Sequence, residues 1–223
     1  MTTPSSSLPP VPAGIRLEQI QHAFAELRDI KATLAARNWF PATSGNLSIR
    51  VGDFSPEQFA FAITASGKDK SRETPEDFLL VDQQGKPLTE TSLKPSAETL
   101  IHCEIYRLTG CGAIFHVHTV FNNLATEIFW PEKHIPVQGV ELIKGFNIWE
   151  EDAEIRIPIL PNYAEIPRIA ELVEDAIVPR VPGIVLHKHG IYAWGANAFE
   201  AKRHLEAFEF LFEYVYRSHL LHK

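Results

Sequence analysis

The sequence predicts an α/β fold in which helices cover a mixed sheet, and three observations support this prediction. Short runs in which apolar and polar residues alternate, typical of strands, recur along the 223 residues. Runs with apolar residues at helical spacing lie between them. No internal repeat or linker divides the chain, so we expect one domain over residues 15–223, after a flexible tail rich in proline and serine at residues 1–14.

The composition is typical of a globular protein and excludes several classes of partner. Hydrophobic residues make up 45% of the chain, and the formal net charge is -7. The negative charge gives no electrostatic case for binding nucleic acid or an anionic membrane, and no apolar run reaches transmembrane length. Two cysteines, Cys103 and Cys111, are too few for a disulfide framework and are expected to be buried thiols. Without a secretory signal pattern, the cytoplasm is the expected location.

Element by element, the pattern begins with an amphipathic helix over residues 16–38, which Trp39-Phe40-Pro41 ends. Alternation then predicts strands at residues 47–49, 59–63, 78–81, 113–117, 134–137, 155–159 and 183–189. The other predicted helices run from an N-cap at Ser96 to Gly110, from a cap at Thr119 to Ile128, over residues 168–178, and from Asn197 towards the C-terminus.

Two pairs of histidines follow apolar runs, and they predict a metal site. His116 and His118 are two apart on a predicted buried strand, so their side chains point to the same face. Two imidazoles in fixed positions suit a divalent metal, which needs at least one further ligand. The second pair, His187 and His189, repeats the pattern near the C-terminus. The alternative is that these are hydrogen-bonded histidines of the core.

Small hydrogen-bond donors gather in two turns and at one helix start. Ser44-Gly45-Asn46 precedes a predicted strand, and Ser66-Gly67 follows the next one. Backbone N–H groups and hydroxyls of this kind form anion-binding nests, although each turn alone is also typical of an ordinary loop. Ser96, at a helix N-terminus, is a third candidate contact for an anion.

Two carboxylates are candidates for acid/base chemistry. Glu98 lies near the start of the helix that leads into the His116 strand, so it either complements the helix dipole or faces the metal. Glu141 and Lys144 are one helical turn apart among apolar residues. They form either a surface salt pair or a pair whose carboxylate is carried into a cleft, where partial burial raises its pKa.

Four segments resemble those of the class II aldolase family: residues 42–48, 63–70, 116–118 and 141–145. The GNLS turn and the HVH pair resemble the whole family of aldolases, epimerases and dehydratases. The SGKDK and ELIKG segments resemble its dehydratase branch more specifically. The resemblance covers about residues 16–220.

The resemblance implies a three-layer α/β/α fold with a central mixed, mostly antiparallel sheet. It implies one zinc ion per subunit, held by His116, His118 and His189, with a structural role for His187. It also implies a homotetramer with sites near the subunit boundaries. The implied phosphate contacts are Ser44, Gly45, Asn46, Ser66, Gly67 and Ser96.

The implied activity is the zinc-dependent dehydration of a small phosphorylated ketose, 5-methylthioribulose 1-phosphate, to 2,3-diketo-5-methylthiopentyl 1-phosphate in methionine salvage. Glu141 matches the acid/base of the dehydratases, and Glu98 matches the metal-side catalytic glutamate of the aldolases. The alternatives are a sugar-phosphate aldolase of the fuculose- or rhamnulose-phosphate type, an epimerase, and a catalytically silent metal-binding scaffold.

Overall fold

The computed structural model describes residues 14–221, so the predicted tail lies, except for Gly14, outside the described residues. Within this range the chain forms an eight-stranded sheet with helices on both faces. The strands are β1 (Asn46–Ser55), β2 (Gln58–Thr64), β3 (Phe78–Asp82), β4 (Ala113–Val117), β5 (His134–Gln138), β6 (Glu154–Leu160), β7 (Gly183–Leu186) and β8 (Ile191–Gly195). The helices are α1 (Leu17–Ala36), α2 (Thr99–Thr109), α3 (Val120–Ile128), α4 (Ile166–Ala170), α5 (Val173–Ala176) and α6 (Ala198–Leu221).

The strand order is β3-β2-β1-β4-β8-β7-β6-β5. All neighbouring strands are antiparallel except β6 and β7, which run parallel. The sheet is therefore mixed and mostly antiparallel, as the resemblance implied.

The sheet has a separate apolar core on each face, because successive strand side chains point to opposite sides. On β4, Phe115 and Val117 pack into the core that α1, α3 and α6 cover. Ile114 packs into the other core, which α2, α4 and α5 cover. These are the three expected layers. None of the helices in residues 14–221 is both long and apolar enough to cross a membrane.

Most predicted elements are confirmed, and three differ. The strand predicted over residues 183–189 ends at Leu186, and a turn at residues 187–189 follows it. Helix α2 begins at Thr99 with Glu98 at the N-cap position, so the prediction that Ser96 caps it is wrong. The carbonyl of Ser96 instead accepts the backbone N–H of Thr99 at 3.1 Å and forms a turn before the helix. The helix ends, as predicted, at Gly110, which adopts the left-handed conformation with φ 63°.

The predicted helix over residues 168–178 is two short helices, α4 and α5. The chain turns between them at Glu171 and Leu172, and this turn keeps Ile169 and Val173 buried against the sheet. The spacing of the apolar residues is retained across the break, which is why the sequence pattern did not reveal it.

Strand pairing brings the chemically interesting segments to one end of the sheet. Asn46, at the start of β1, pairs with His116 on β4, and Val117 pairs with Ile191 at the start of β8. The turn between β7 and β8, which carries the second histidine pair, therefore lies beside the end of β4. The end of β2 lies at the same edge, because β1 and β2 are antiparallel neighbours.

Candidate metal centre

Four side chains converge where β4 ends and the β7–β8 turn passes it. Glu98, His116, His118 and His189 each offer one ligand atom, and these atoms all lie within 4.8 Å of one another. The predicted ligand set of three histidines is therefore brought together by the fold. The fourth side chain, Glu98, comes from the N-cap position of α2.

Neighbouring acceptors hold two of the rings with their Nε2 atoms towards the centre. The Nδ1–H of His116 donates to the carbonyl of Ile191 at 3.0 Å, and the Nδ1–H of His189 donates to Oδ1 of Asn162 at 3.1 Å. Each Nε2 atom then keeps a free lone pair, the arrangement in which metal-binding imidazoles are held. The Tyr192 ring stacks on His116 with 3.9 Å between centroids and fixes its plane.

Burial favours the neutral form of His116 and His118. It lowers the pKa of His116, and it lowers the pKa of His118 to about 3, with the neighbouring His116 adding to the shift. The Nε2 atoms of these two rings face each other at 2.9 Å. Neutral imidazoles are the form that binds a metal, so the site is prepared for a cation.

The carboxylate of Glu98 completes the centre. Its Oε2 atom lies 3.2 Å from Nε2 of His116, and its Oε1 atom lies 3.0 Å from Nε2 of His189. A side chain that is 12% exposed thus carries a carboxylate directly into the histidine cluster.

The donor set fits a divalent transition metal. Three imidazole nitrogens and one carboxylate oxygen form a four-coordinate set typical of zinc. Imidazole also accepts iron, cobalt and nickel, so the ligand types define a class of metals. A cleft of about 780 Å³ opens beside His118 and His189 and gives a small molecule access to the centre.

His187 lies apart from the four ligands, as expected. Its ring stacks on Trp130 with 4.0 Å between centroids, and its Nε2 atom lies 3.3 Å from a carboxylate oxygen of Glu127. Lys188 between the two histidines has φ 54°, which ends the alternation of the strand. The prediction that the two histidines share one strand face is therefore wrong, because the strand ends at Leu186, and the structural role of His187 stays a prediction.

The predicted phosphate-binding segments lie at the same end of the sheet. The backbone N–H of Leu47 donates to Thr64 Oγ1 at 3.2 Å, which joins the start of β1 to the end of β2. The backbone N–H of Ser66 donates to the carbonyl of Lys94 at 2.9 Å, which brings the Ser66 turn beside the segment that carries Ser96. The three donor-rich segments are thus neighbours, while their contact with phosphate stays a prediction.

The turn before β1 has a constrained backbone. Gly45 has φ 73°, and a Cβ atom there would lie 2.7 Å from the carbonyl of His116. The Oγ atom of Ser44 is buried and has no hydrogen-bond partner within residues 14–221. A buried hydroxyl without a partner is costly, so it is available to a ligand oxygen.

Two buried polar side chains, those of Lys70 and Asn46, lie beside this turn. The ammonium of Lys70, which is buried, donates to the carbonyl of Thr43 at 2.8 Å. Burial lowers the pKa of Lys70 to about 8. The side chain of Asn46 is directed at Glu98, to whose Oε2 it donates at 2.6 Å, so this side chain supports the metal centre.

Glu141 lies on the surface of the chain. It begins the 3₁₀ turn Glu141–Phe146, its side chain is 82% exposed, and it pairs with Lys144 at 2.9 Å. The interpretation as a surface salt pair is confirmed. Within this chain Glu141 is not buried, because Ile143 and Phe146 turn into the core and leave Glu141 outward, so the alternative of a carboxylate carried into a cleft stays a prediction. Its role as acid/base stays a prediction.

Sequence analysis missed a buried acid on α6. Glu209 borders the cleft, and burial raises its pKa to about 7. It accepts hydrogen bonds from Thr119 Oγ1 at 2.6 Å and from Asn122 Nδ2 at 3.2 Å. Because Thr119 follows the ligand His118 and caps α3, Glu209 supports the backbone that carries this ligand.

The same hydrogen-bond network also includes the turn between β7 and β8, which carries His189. Asn123 Nδ2 donates to Oδ1 of Asn122 at 2.9 Å and to the carbonyl of His189 at 3.0 Å. Polar side chains on α3 thus join both ligand-bearing turns to α6. The missed residues lie on predicted helices and carry no sequence signal beyond a polar residue among apolar ones.

We expect Glu209→Ala to lower the free energy of unfolding by about 2–4 kcal/mol, because it leaves the Thr119 hydroxyl without its acceptor and leaves Asn122 Nδ2 only a long contact of 3.5 Å with the carbonyl of Val117. Urea denaturation measures this change. Glu213→Ala, one turn further along α6, is the matched control: its 41%-exposed side chain pairs with Arg217 on the surface. We expect its effect to stay within about 1 kcal/mol. Equal effects of the two substitutions would contradict the supporting role of Glu209.

Comparison with known proteins identifies the family of this chain. Residues 25–216 match the family described as class II aldolase and adducin N-terminal domain. Methylthioribulose-1-phosphate dehydratase of Persephonella marina is 48% identical over 205 residues, which are 92% of this chain and 94% of that protein. The protein of the same name from Bacillus subtilis is 52% identical over 195 residues, 87% of this chain and 92% of that protein.

The fold agrees with that of solved structures. The crystal structure of L-fuculose-1-phosphate aldolase from Thermus thermophilus matches with a TM-score of 0.68 and 24% identity, over 91% of this chain and 97% of that one. At this identity the likeness concerns the fold alone. The family match and the identity to the curated relatives show that this chain belongs to the class II aldolase and adducin family.

Proposed function

We propose that this protein is a metal-dependent dehydratase that removes water from 5-methylthioribulose 1-phosphate and forms 2,3-diketo-5-methylthiopentyl 1-phosphate. The observation that carries the proposal is the convergence of Glu98, His116, His118 and His189 in a chain about half identical to proteins named for this dehydration. The metal we propose is zinc, one ion per subunit, and the site of action is the cytoplasm. Residues 15–223 form the single domain that carries the activity.

A divalent metal at this centre supplies Lewis-acid polarisation of the C2 ketone, which acidifies the hydrogen on C3. The chain's own residues then move the proton. Glu141 accepts it from C3, a C3–C4 double bond forms, and the C4–oxygen bond breaks. The leaving hydroxyl takes the proton back from the Glu141 carboxylic acid and departs as water. The resulting enol tautomerises to the second ketone, so one water is lost and nothing is oxidised.

The phosphate decides which carbon faces the base. We propose that Ser44, Gly45, Ser66, Gly67 and Ser96 bind it through hydroxyls and backbone N–H groups, with Asn46 contributing from its backbone. The buried, unpartnered Oγ of Ser44 and the shared edge of the three segments support this placement. Binding a group remote from the reacting carbons orients the substrate for proton transfer.

Glu141 acts, in this proposal, on the site of a neighbouring subunit in a homotetramer. Its carboxylate is exposed, and it is not one of the four side chains at the metal centre of its own chain. Exposed apolar residues beside the cleft, such as Val120 at 71% exposure, suit a subunit boundary there. A site shared between subunits brings the carboxylate to the substrate without burying it in the free chain.

The reaction is tested by mass spectrometry of the products formed from methylthioribulose 1-phosphate. We expect a product lighter by one water, formed by metal-loaded protein and lost after chelation. Fragments that include dihydroxyacetone phosphate would contradict dehydration and establish an aldolase. The position of Glu98 beside the histidines also suits an aldolase. An isomer of unchanged mass would indicate an epimerase, and unchanged substrate with metal bound would indicate a different substrate or a silent scaffold.

The shared site is tested by mixing two inactive variants. We expect Glu141→Gln to bind metal and lose most turnover, and His116→Ala to lose metal binding and turnover. We then co-express the two variants at equal ratio, so that mixed oligomers form. If Glu141 acts on the site of a neighbouring subunit, about a quarter of the sites combine an intact metal centre with an intact Glu141, and these sites regain activity. Mixed oligomers as inactive as the single variants would place Glu141 in its own subunit's site, and near-normal turnover by Glu141→Gln would remove it from the mechanism.

A further inference from the structure

A row of buried polar side chains runs from the core to the metal centre behind Glu98. The hydroxyl groups of Tyr106 and Ser48 lie 2.8 Å apart, and Ser48 Oγ lies 2.7 Å from Nδ1 of His102. Nε2 of His102 contacts Oδ1 of Asn46, whose Nδ2 donates to Glu98 Oε2 at 2.6 Å. Tyr106, Ser48 and His102 are completely buried, and Asn46 is 2% exposed.

The chemistry of these groups determines which atom donates and which accepts at each hydrogen bond in the row. A carboxylate that binds a metal is deprotonated and only accepts hydrogen bonds, so the amide nitrogen of Asn46 faces Glu98 and the amide oxygen faces His102. Two acceptors cannot bond to each other, so Nε2 of His102 carries the hydrogen. Burial lowers the pKa of His102 to about 3, and a neutral ring has only one N–H.

The remaining hydrogens follow from that of His102. Its Nδ1 is an acceptor, so the hydroxyl of Ser48 donates to it. The oxygen of Ser48 is then free to accept the hydroxyl hydrogen of Tyr106. Every donor in the row therefore points towards Glu98, and the row ends on the carboxylate.

We propose that His102 is a positioning residue of the metal centre, which fixes the amide of Asn46 and through it the carboxylate of Glu98. The inference rests on the proposed metal site and not on the identity of the substrate. With Oε2 held by Asn46, Oε1 stays directed at the ligand His189, 3.0 Å away. A reversed amide would present its oxygen to the carboxylate and repel it, and the N–H of His102 prevents that reversal.

The location of His102 on α2 adds to the argument. It lies one helical turn after Glu98, so one rigid element carries both the carboxylate and the ring that controls its neighbour. The ring also packs nearly perpendicular to that of Tyr192, with 5.6 Å between centroids, and Tyr192 stacks on the ligand His116. In the part of the chain that the structure describes, both hydrogen-bonding atoms of the ring are used within this row.

Binding of Co²⁺ to metal-free protein, followed by visible absorption, tests the proposal without substrate. We expect His102→Leu to weaken Co²⁺ binding by about tenfold or more, the effect typical of losing a group that orients a metal ligand. His102→Gln keeps an N–H donor and should retain affinity within about threefold of the unaltered protein. Tyr106→Phe, at the far end of the row, is the control and should also stay within about threefold, because Ser48 still donates to His102.

Unchanged Co²⁺ affinity in folded His102→Leu would overturn the proposal, as would an equal loss in Tyr106→Phe. Long-range ¹H–¹⁵N spectra of the unaltered metal-free protein, labelled at histidine, provide a second test, for which His102→Gln is needed only to assign the signals. We expect His102, assigned by the loss of its signals in His102→Gln, to be the neutral tautomer with hydrogen on Nε2. The opposite tautomer would overturn the inference, whereas failure of the unaltered protein to bind Co²⁺ would contradict only the metal centre.

Discussion

The pairing of β4 with β8 is the constraint on which the site depends. It lays Val117 against Ile191, so the end of the first histidine strand lies beside the turn that carries His189. Gly190 makes this approach possible, because a Cβ atom there would collide with the carbonyl of Val117 and lie 2.7 Å from the ring of His116. Three imidazoles from distant parts of the sequence thus converge through the backbone hydrogen bonds of the sheet.

Polar groups behind the ligands then hold them in place from both layers of helices. On one face, Asn46 and His102 orient Glu98 from β1 and α2. On the other, Glu209 on α6 joins Thr119, the residue after His118, to the core. Buried polar groups are stable only when their hydrogen bonds are satisfied, so these networks resist rearrangement. A centre held in this way keeps its geometry while a substrate enters and a product leaves.

The sequence allowed prediction of what depends on local pattern. The bounds of β4, the cap at Thr119 and the left-handed Gly110 follow from periodicity and residue type within short windows. The spacing of the histidines indicated a metal site, whereas the choice of His189 rather than His187 as third ligand came from the family resemblance, and the fold brings His116, His118 and His189 together. The contacts of His102, Asn162 and Glu209 did not follow, because they join residues far apart in the chain and depend on strand order. Glu141 could not be placed from its local pattern either, because its surface position depends on how Phe146 in the same turn packs against Phe208 of α6. Its proposed role depends in addition on a second subunit.

X-ray absorption at the metal edge of zinc-loaded protein tests the central claim most directly, because it reports the atoms bound to the ion. The structure predicts three imidazole nitrogens and at least one oxygen near roughly 2.0 Å, with the outer-shell scattering of three rings. His189→Ala should reduce the imidazole count to two, and His187→Ala should leave it at three. A spectrum with fewer than three imidazoles in the unaltered protein, or with sulfur ligands from Cys103 and Cys111, would contradict the proposed metal centre.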